Sequence, residues 1–297
     1  MKVLAKRYNS KGMELEEAGQ FDEAIVYYEK AIKSAPDWSV PWYNLGLLYK
    51  YQKLWEKSLA CTQRASELDA NDEAAWWNLG IAATALENWP EARRAWKTYG
   101  IEIEPGDGPI EMDFGSVPIR LDPDGDAEVV WCKRIDPARA IVQNIPFSES
   151  GFRYGDLVLH DGAPNGYRKN ENGKEAPIFD ELQLLYPSEF GTFEALVDGI
   201  SAEELDELID SESEESGDEL AIEDWGTIRI LCRACSEGKP DDQHAHHHET
   251  VVDGERRIGF AAKTEERVKT LLADWQKKFP QATFSEIKCG LPPAWIN

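Results

Sequence analysis

Trp42-Tyr-Asn-Leu-Gly-Leu-Leu-Tyr49 and, 34 residues on, Trp76-Trp-Asn-Leu-Gly-Ile-Ala-Ala83 are two copies of one pattern. The same shift places Tyr8 under Trp42, Gly12 under Gly46, and Phe21 under Trp55 and Trp89. Three columns aligned at a single spacing mark an internal repeat. Leu45 and Leu79, Ala24 and Ala92, Tyr28 and Trp96, and Ala31 and Ala65 extend the alignment, and Pro36 closes the first unit. Each unit reads as two amphipathic helices. Its small residues, Gly12, Gly46, Gly80, Ala24, Ala31, Ala65 and Ala92, let neighbouring helices approach closely. One hairpin cannot bury its own apolar face, whereas a stack of them can.

In spacing and residue type, residues 5 to 100 resemble the tetratricopeptide repeat family. Departures are Lys11 for the usual Leu, Ser58 and Thr62 for Ala and Phe, and Tyr99 for Ala. The third unit also lacks a solvating cap helix, because Ile101-Glu-Ile-Glu-Pro-Gly-Asp-Gly-Pro109 breaks the chain at once, so the following domain is expected to cover its end. The resemblance implies a concave groove lined by the first helix of each unit. Carried onto this sequence, the groove positions are Asn9 and Met13, Tyr43 and Leu47, and Trp77 and Ile81. None is Lys or Arg, which disfavours the peptide-carboxylate clamp of chaperone-binding relatives. An apolar helix or extended segment is the expected occupant, held by burial worth roughly 25 cal/mol per Å². Internal packing of the same face against the rest of the chain is the alternative.

The chain has 297 residues, with 32 basic and 56 acidic residues and a net charge of -24. Residues 1–104 hold 13 basic and 16 acidic residues, so all but three of the excess negative charges belong to the remainder. Such acidity disfavours nucleic acid and anionic membranes as partners. No apolar run approaches the roughly 20 residues of a membrane span, and Met1-Lys-Val-Leu-Ala-Lys-Arg7 turns polar too early for a signal peptide, so a cytoplasmic protein is expected. Five scattered cysteines, at 61, 132, 232, 235 and 289, argue against a secreted disulfide framework.

Between 117 and 160 the chain alternates as strands do, in Val117–Leu121, Glu128–Lys133, Arg139–Asn144 and Asp156–His160, which predicts a small antiparallel sheet curled into a barrel. Trp131, Asn144-Ile-Pro-Phe147, Gly151, Gly155-Asp156 and Val158 are similar to an uncharacterised bacterial β-domain family; this implies a fold and no activity. Asp122-Pro-Asp-Gly-Asp126 fails as a calcium loop, since Ala127 stands where glycine must turn the chain and Lys133 where a bidentate Glu is needed. His160-Asp161 has no nucleophile in a recognisable context beside it.

From 191 onward the order reads strand (Thr192–Val197), helix (Ser201 to Glu215), strands (Gly226–Cys232 and Arg257–Ala262), helix (Thr264–Phe279) and strand (Thr283–Lys288). This β-α-β-β-α-β order predicts a ferredoxin-like plait. Residues 201–224 carry 12 acidic residues and no Lys or Arg, read as a solvated helix end and loop or as a docking surface for a basic partner. Cys232-Arg-Ala-Cys235, followed by His244, His246, His247 and His248, has spacing that can close a Cys₂His₂ shell around Zn²⁺. The same residues also read as a strand cysteine, a turn cysteine and a solvated hairpin tip.

The fold expected is therefore α+β and multidomain. It comprises a three-hairpin α-solenoid (1–104), a small β-rich barrel (105–190) and an acidic ferredoxin-like domain (191–297). The function expected is a non-enzymatic protein-protein interaction module, an adaptor or inhibitor whose protein or peptide partner is basic or carries an apolar helix. The alternative is a zinc-binding protein built on residues 232–248.

Overall fold

The computed structural model describes residues 2–125, 127–169, 174–216, 219–227 and 256–294. They fall into two compact units, one of Met1–Asp113 with Ile135–Arg139, the other of Phe114–Arg134 with Ala140–Asn297.

The first unit holds six helices, α1 Lys2–Glu17, α2 Phe21–Ser34, α3 Ser39–Tyr51, α4 Trp55–Leu68, α5 Glu73–Ala85 and α6 Trp89–Tyr99. They form three hairpins at the boundaries that the repeat predicts. Side-chain caps start the third: Ala75 N–H donates to the Asp72 carboxylate at 3.1 Å and Glu91 N–H to Asn88 at 3.4 Å. Gly100 ends α6 in the left-handed region at φ 106°, where glycine carries no Cβ penalty. Within each hairpin the close approach falls on the repeated glycine. A Cβ on Gly12 would meet the Tyr28 ring at 2.7 Å, one on Gly46 would meet Thr62 at 2.8 Å, and one on Gly80 would overlap the Trp96 ring. Tyr28 and Trp96 are fully buried against those glycines.

The second unit opens with a closed barrel of β1 Ser116–Arg120, β2 Val129–Arg134, β3 Arg139–Val142, β4 Leu157–Lys169 and β5 Glu175–Tyr186. β1–β2, β2–β3 and β4–β5 run antiparallel, whereas β1 pairs with β5 in parallel through Ile119↔Phe179 and Arg120↔Asp180. This corrects the expectation of a wholly antiparallel β domain. Closing a short sheet onto itself leaves the first and last strands to find each other in whichever direction they meet. The barrel core is Ile119, Leu121, Val130, Cys132, Ala140, Val142, Phe152 and Val158.

The remaining elements are β6 Gly191–Asp198, α7 Ala202–Ser216, β7 Leu220–Asp224, β8 Arg256–Ala262, α8 Glu265–Lys278, β9 Thr283–Phe284 and β10 Lys288–Leu291. Strand order is β10-β6-β8-β7, with β9 also pairing β6. Leu205 and Leu208 of α7 and Val268, Leu271, Leu272 and Trp275 of α8 join one core with Phe193, Ala195, Val197, Ile222, Ile258 and Phe260. The second strand of this domain is Leu220–Asp224, with Trp225–Thr227 a single tight turn after it. Of the expected strand Gly226–Cys232, residues 228–232 lie outside the described residues. The final strand divides into β9 and β10. In β7 Leu220, Ile222 and Asp224 are buried and alternate with Ala221 and Glu223, a period that the surrounding charge run obscures. Among the described residues no helix is long and apolar enough to cross a membrane.

Candidate functional site

The groove positions sit on α1, α3 and α5, and their exposures differ. Met13 is 45% exposed, while Tyr43, Leu47 and Trp77 are partly buried. Asn9 and Ile81 are buried, so neither offers surface to a partner. Asn9 holds the face together from beneath: it donates to Met13 Sδ at 3.5 Å and accepts from the Asn44 amide at 3.1 Å, tying α1 to α3. Asn78 donates to the Ala74 carbonyl at 2.9 Å. Trp77 packs edge-on to Trp96 at 5.1 Å and to Tyr99 at 4.8 Å. Tyr99, the departure from the repeat pattern, is therefore the wall against which Trp77 rests. Of the six, Met13, Tyr43 and Leu47 keep some exposure, and on α3 Tyr51 is 54% exposed with the buried Lys50 ammonium 4.5 Å from its ring centre. These four side chains come from two hairpins and are apolar or aromatic.

The end of the third hairpin is covered from within its own unit. The chain after α6 runs back as an extended strap, and Arg93 of α6 donates to the Glu104, Gly108 and Pro109 carbonyls at 3.2, 2.5 and 3.2 Å. Ile103 and Ile110 of the strap are buried. Residues 135–139 complete the cover. The Arg139 guanidinium stacks 4.5 Å from the Trp89 ring centre, donates to the Ile110 carbonyl at 2.6 Å and pairs with the buried Asp136 carboxylate at 2.5 Å. Sequence reasoning missed all four of Arg93, Trp89, Asp136 and Arg139 as parts of the cover, since Arg93 and Arg139 act largely on backbone carbonyls, which leave no signature in residue type. An open cleft of about 630 Å³ beside the strap is lined by Lys97, Glu102, Glu104 and Met112 with their neighbours.

In the second unit the Asn144-Ile-Pro-Phe147 segment is a structural seam. The Asn144 side chain accepts from Trp131 N–H at 2.7 Å and donates to Glu223 at 2.7 Å. Ile145 N–H donates to Glu223 at 2.7 Å, Phe147 N–H to Glu128 at 3.0 Å, and the Trp225 indole to the Ile145 carbonyl at 3.2 Å. The Arg257 guanidinium lies over the Phe147 and Trp225 rings. Gly151 and Gly155 take positive φ, and the Asp156 carboxylate accepts from Arg153 and Ser188 N–H groups, at 2.8 and 2.7 Å. The motif that marks the bacterial β-domain resemblance thus builds loops and joins strands.

Two carboxylates therefore clasp one segment, and their titration follows from that. Burial pushes Glu128 up to about 8, with the negative charges of Glu223 and Glu149 adding to it and the Phe147 N–H opposing. Burial also raises Glu223, against its bonds to Ile145 and Asn144 and the Arg168 charge. A carboxyl that holds its proton more tightly folded than unfolded contributes stability in full below the ordinary glutamate range, and that contribution is lost as pH rises through about 8. The melting temperature of the second unit is expected to fall between pH 5 and 8, and Glu128→Gln to flatten that slope in parallel melts. An unchanged slope in the variant would contradict the assignment.

His160 is buried, with Nδ1 2.7 Å from the Asp161 carbonyl and its ring stacked on Phe179. Cys232, Cys235, His244, His246, His247 and His248 lie outside the described residues, and among the described residues no three His, Cys, Asp or Glu side chains gather as a metal site.

The geometry defines a class of protein, tandem helical hairpins followed in the chain by strand-rich sheets. Residues 5–37 match the tetratricopeptide repeat family model, and the first hairpin is a tetratricopeptide repeat. Among solved structures, the chain is similar to the second tetratricopeptide domain of Spaghetti (RPAP3) bound to the HSP90 peptide SRMEEVD, at 22% identity and TM-score 0.32, over 33% of this chain and 91% of that one. It is also similar to the first tetratricopeptide domain of Spaghetti bound to the same peptide, at 24% identity and TM-score 0.32, over 33% of this chain and 79% of that one. No curated protein matches the chain.

Proposed function

We propose that this protein is a non-enzymatic interaction module, an adaptor or inhibitor, that holds a polypeptide segment against Met13, Tyr43, Leu47 and Tyr51. The observation that carries the reading is that α1 and α3 leave these large apolar side chains exposed or partly exposed on one face of a repeat whose remaining core is closed. Aromatic anchors of this kind dominate binding energies in helix-in-groove recognition. The acid excess beyond residue 104 favours a cationic segment over an anionic one. The ferredoxin-like reading of the last domain belongs to the same proposal and is supported by the strand order β10-β6-β8-β7.

The test uses synthetic amphipathic helices of about 20 residues that share one leucine face and differ in charge, lysine-rich, glutamate-rich or serine-rich. The lysine-rich peptide is expected to bind tightest. Tyr43→Ala with Leu47→Ser should weaken it at least about tenfold, the equivalent of roughly 1.4 kcal/mol. Trp77 is a poor choice for substitution because its ring supports Trp96 and Tyr99. Equal affinity for all three peptides, or binding indifferent to the double substitution, would sink the groove reading.

A further inference from the structure

Two exposed helix faces, one on α1 and one on α7, have opposite charge. The first 13 residues contain Lys2, Lys6, Arg7 and Lys11 and no acidic residue, in a chain whose net charge is -24. All four cations lie exposed on α1, and Val3 and Leu4, 83% and 48% exposed, stand among them. The i, i+4 relations Lys2–Lys6, Val3–Arg7 and Arg7–Lys11 spread them over the half of the helix turned away from the buried Ala5, Asn9 and Gly12. Lys11 pairs with Glu14 at 3.0 Å; among the described residues no carboxylate pairs with Lys2, Lys6 or Arg7. On α7 the opposite arrangement holds. Leu205 and Leu208 are buried, and the face turned away from them consists of Glu203, Asp206, Glu207 and Asp210, all exposed and none in an ion pair among the described residues. Each face places like charges four residues apart, which destabilises an isolated helix. A partner ridge of opposite sign would relieve both.

We infer that α1 of one copy docks on α7 of a second copy, so that the protein associates head to tail through a basic, apolar-tipped helix face and an acidic one. Charge complementarity identifies the occupant: the exposed half of α1 carries four cations and no carboxylate over its first 13 residues, and the acidic ridge of α7 runs about 10 Å from Glu203 to Asp210. Each face is exposed among the described residues. At roughly 0.1 M salt the screening length is about 10 Å. The contact then feels the local ridges, while the repulsion between two acidic molecules is damped at longer range. Because the two faces differ, the contact is heterologous, and it extends to chains or closes to rings.

The experiment is sedimentation of the full chain at 100 and 600 mM NaCl over a hundredfold range of protein concentration. Mass is expected to rise with concentration at the lower salt, with an apparent dissociation constant at least tenfold weaker at the higher. The reversals Lys6→Glu with Arg7→Glu, and Glu203→Lys with Glu207→Lys, should each leave a monomer. An equimolar mixture of the two should associate again, since each then offers the ridge that the other lacks. Circular dichroism establishes that both variants fold, and substitution at exposed positions leaves the packed faces intact. A wild-type chain that stays monomeric throughout, association that survives either reversal, or a folded pair that fails to associate on mixing overturns the inference and assigns the α1 face to a different partner or to solvent.

Discussion

Trp96→Ala is expected to lower the stability of the repeat unit by about 3–5 kcal/mol, the range for removing a fully buried tryptophan. Trp96 is completely buried, lies on Gly80 with no room for a Cβ between them, and supports Trp77 edge-on at 5.1 Å. Removing it withdraws the packing of α6 on α5 and the wall behind one side of the groove together. In a stack of hairpins each unit is stable only through its neighbours, so the loss is expected to spread toward α4. Urea unfolding followed by circular dichroism measures the loss. Trp96→Phe separates packing from shape: the indole N–H of Trp96 has no hydrogen-bond partner among the described residues, so the phenyl ring removes a buried orphan donor and should cost much less. A loss below about 1 kcal/mol for Trp96→Ala would mean that α6 can collapse onto α5 unaided.

Asp136→Ala has an expected cost of similar size, about 3–5 kcal/mol, for a different reason. The Asp136 carboxylate is fully buried and accepts from Ala138 N–H at 2.7 Å, Arg139 N–H at 2.6 Å and the Arg139 guanidinium at 2.5 Å. Arg139 is itself 4% exposed, so the alanine strands a buried cation. Asp136→Asn keeps an acceptor for the two backbone groups and is expected to lose roughly half as much. The readout is thermal unfolding together with protease cleavage of the strap at 101–113, which should accelerate in parallel. Unchanged cleavage with full loss of stability would place the effect elsewhere in the chain.

The repeat was legible because its signal is periodic and local. Trp42, Gly46, Trp76 and Gly80 face the same neighbours at the same spacing, so side-chain type alone specifies the packing. What closes the third hairpin was not legible, because Arg93 reaches main-chain carbonyls 11 to 16 residues away, and Arg139 reaches one 29 residues away. Strand β4 was read short, at His160, since Gly162, Pro164 and Gly166 look like chain breakers. The strand passes through them by shifting register against β5 at several points, which is how irregular strands tolerate such residues. Strand β5 was missed, its alternation broken by Pro177, Asp180 and Glu181. Of the six positions expected to line a groove, Asn9 and Ile81 are buried, because a repeat register fixes which side a residue faces and says nothing of what lies over it. The Asn144–Phe147 seam depends on Glu223, 79 residues from Asn144, a separation at which no local pattern survives.

The repeat unit is discontinuous along the chain, ending at Asp113 and resuming for Ile135–Arg139. During translation the three hairpins emerge ahead of Ile135–Arg139, and the guanidinium that stacks on Trp89 leaves the ribosome only after β1 and β2 have been made. The helical array therefore matures late, and a truncation placed at the apparent boundary near residue 113 would release a fragment still waiting for its last fastening.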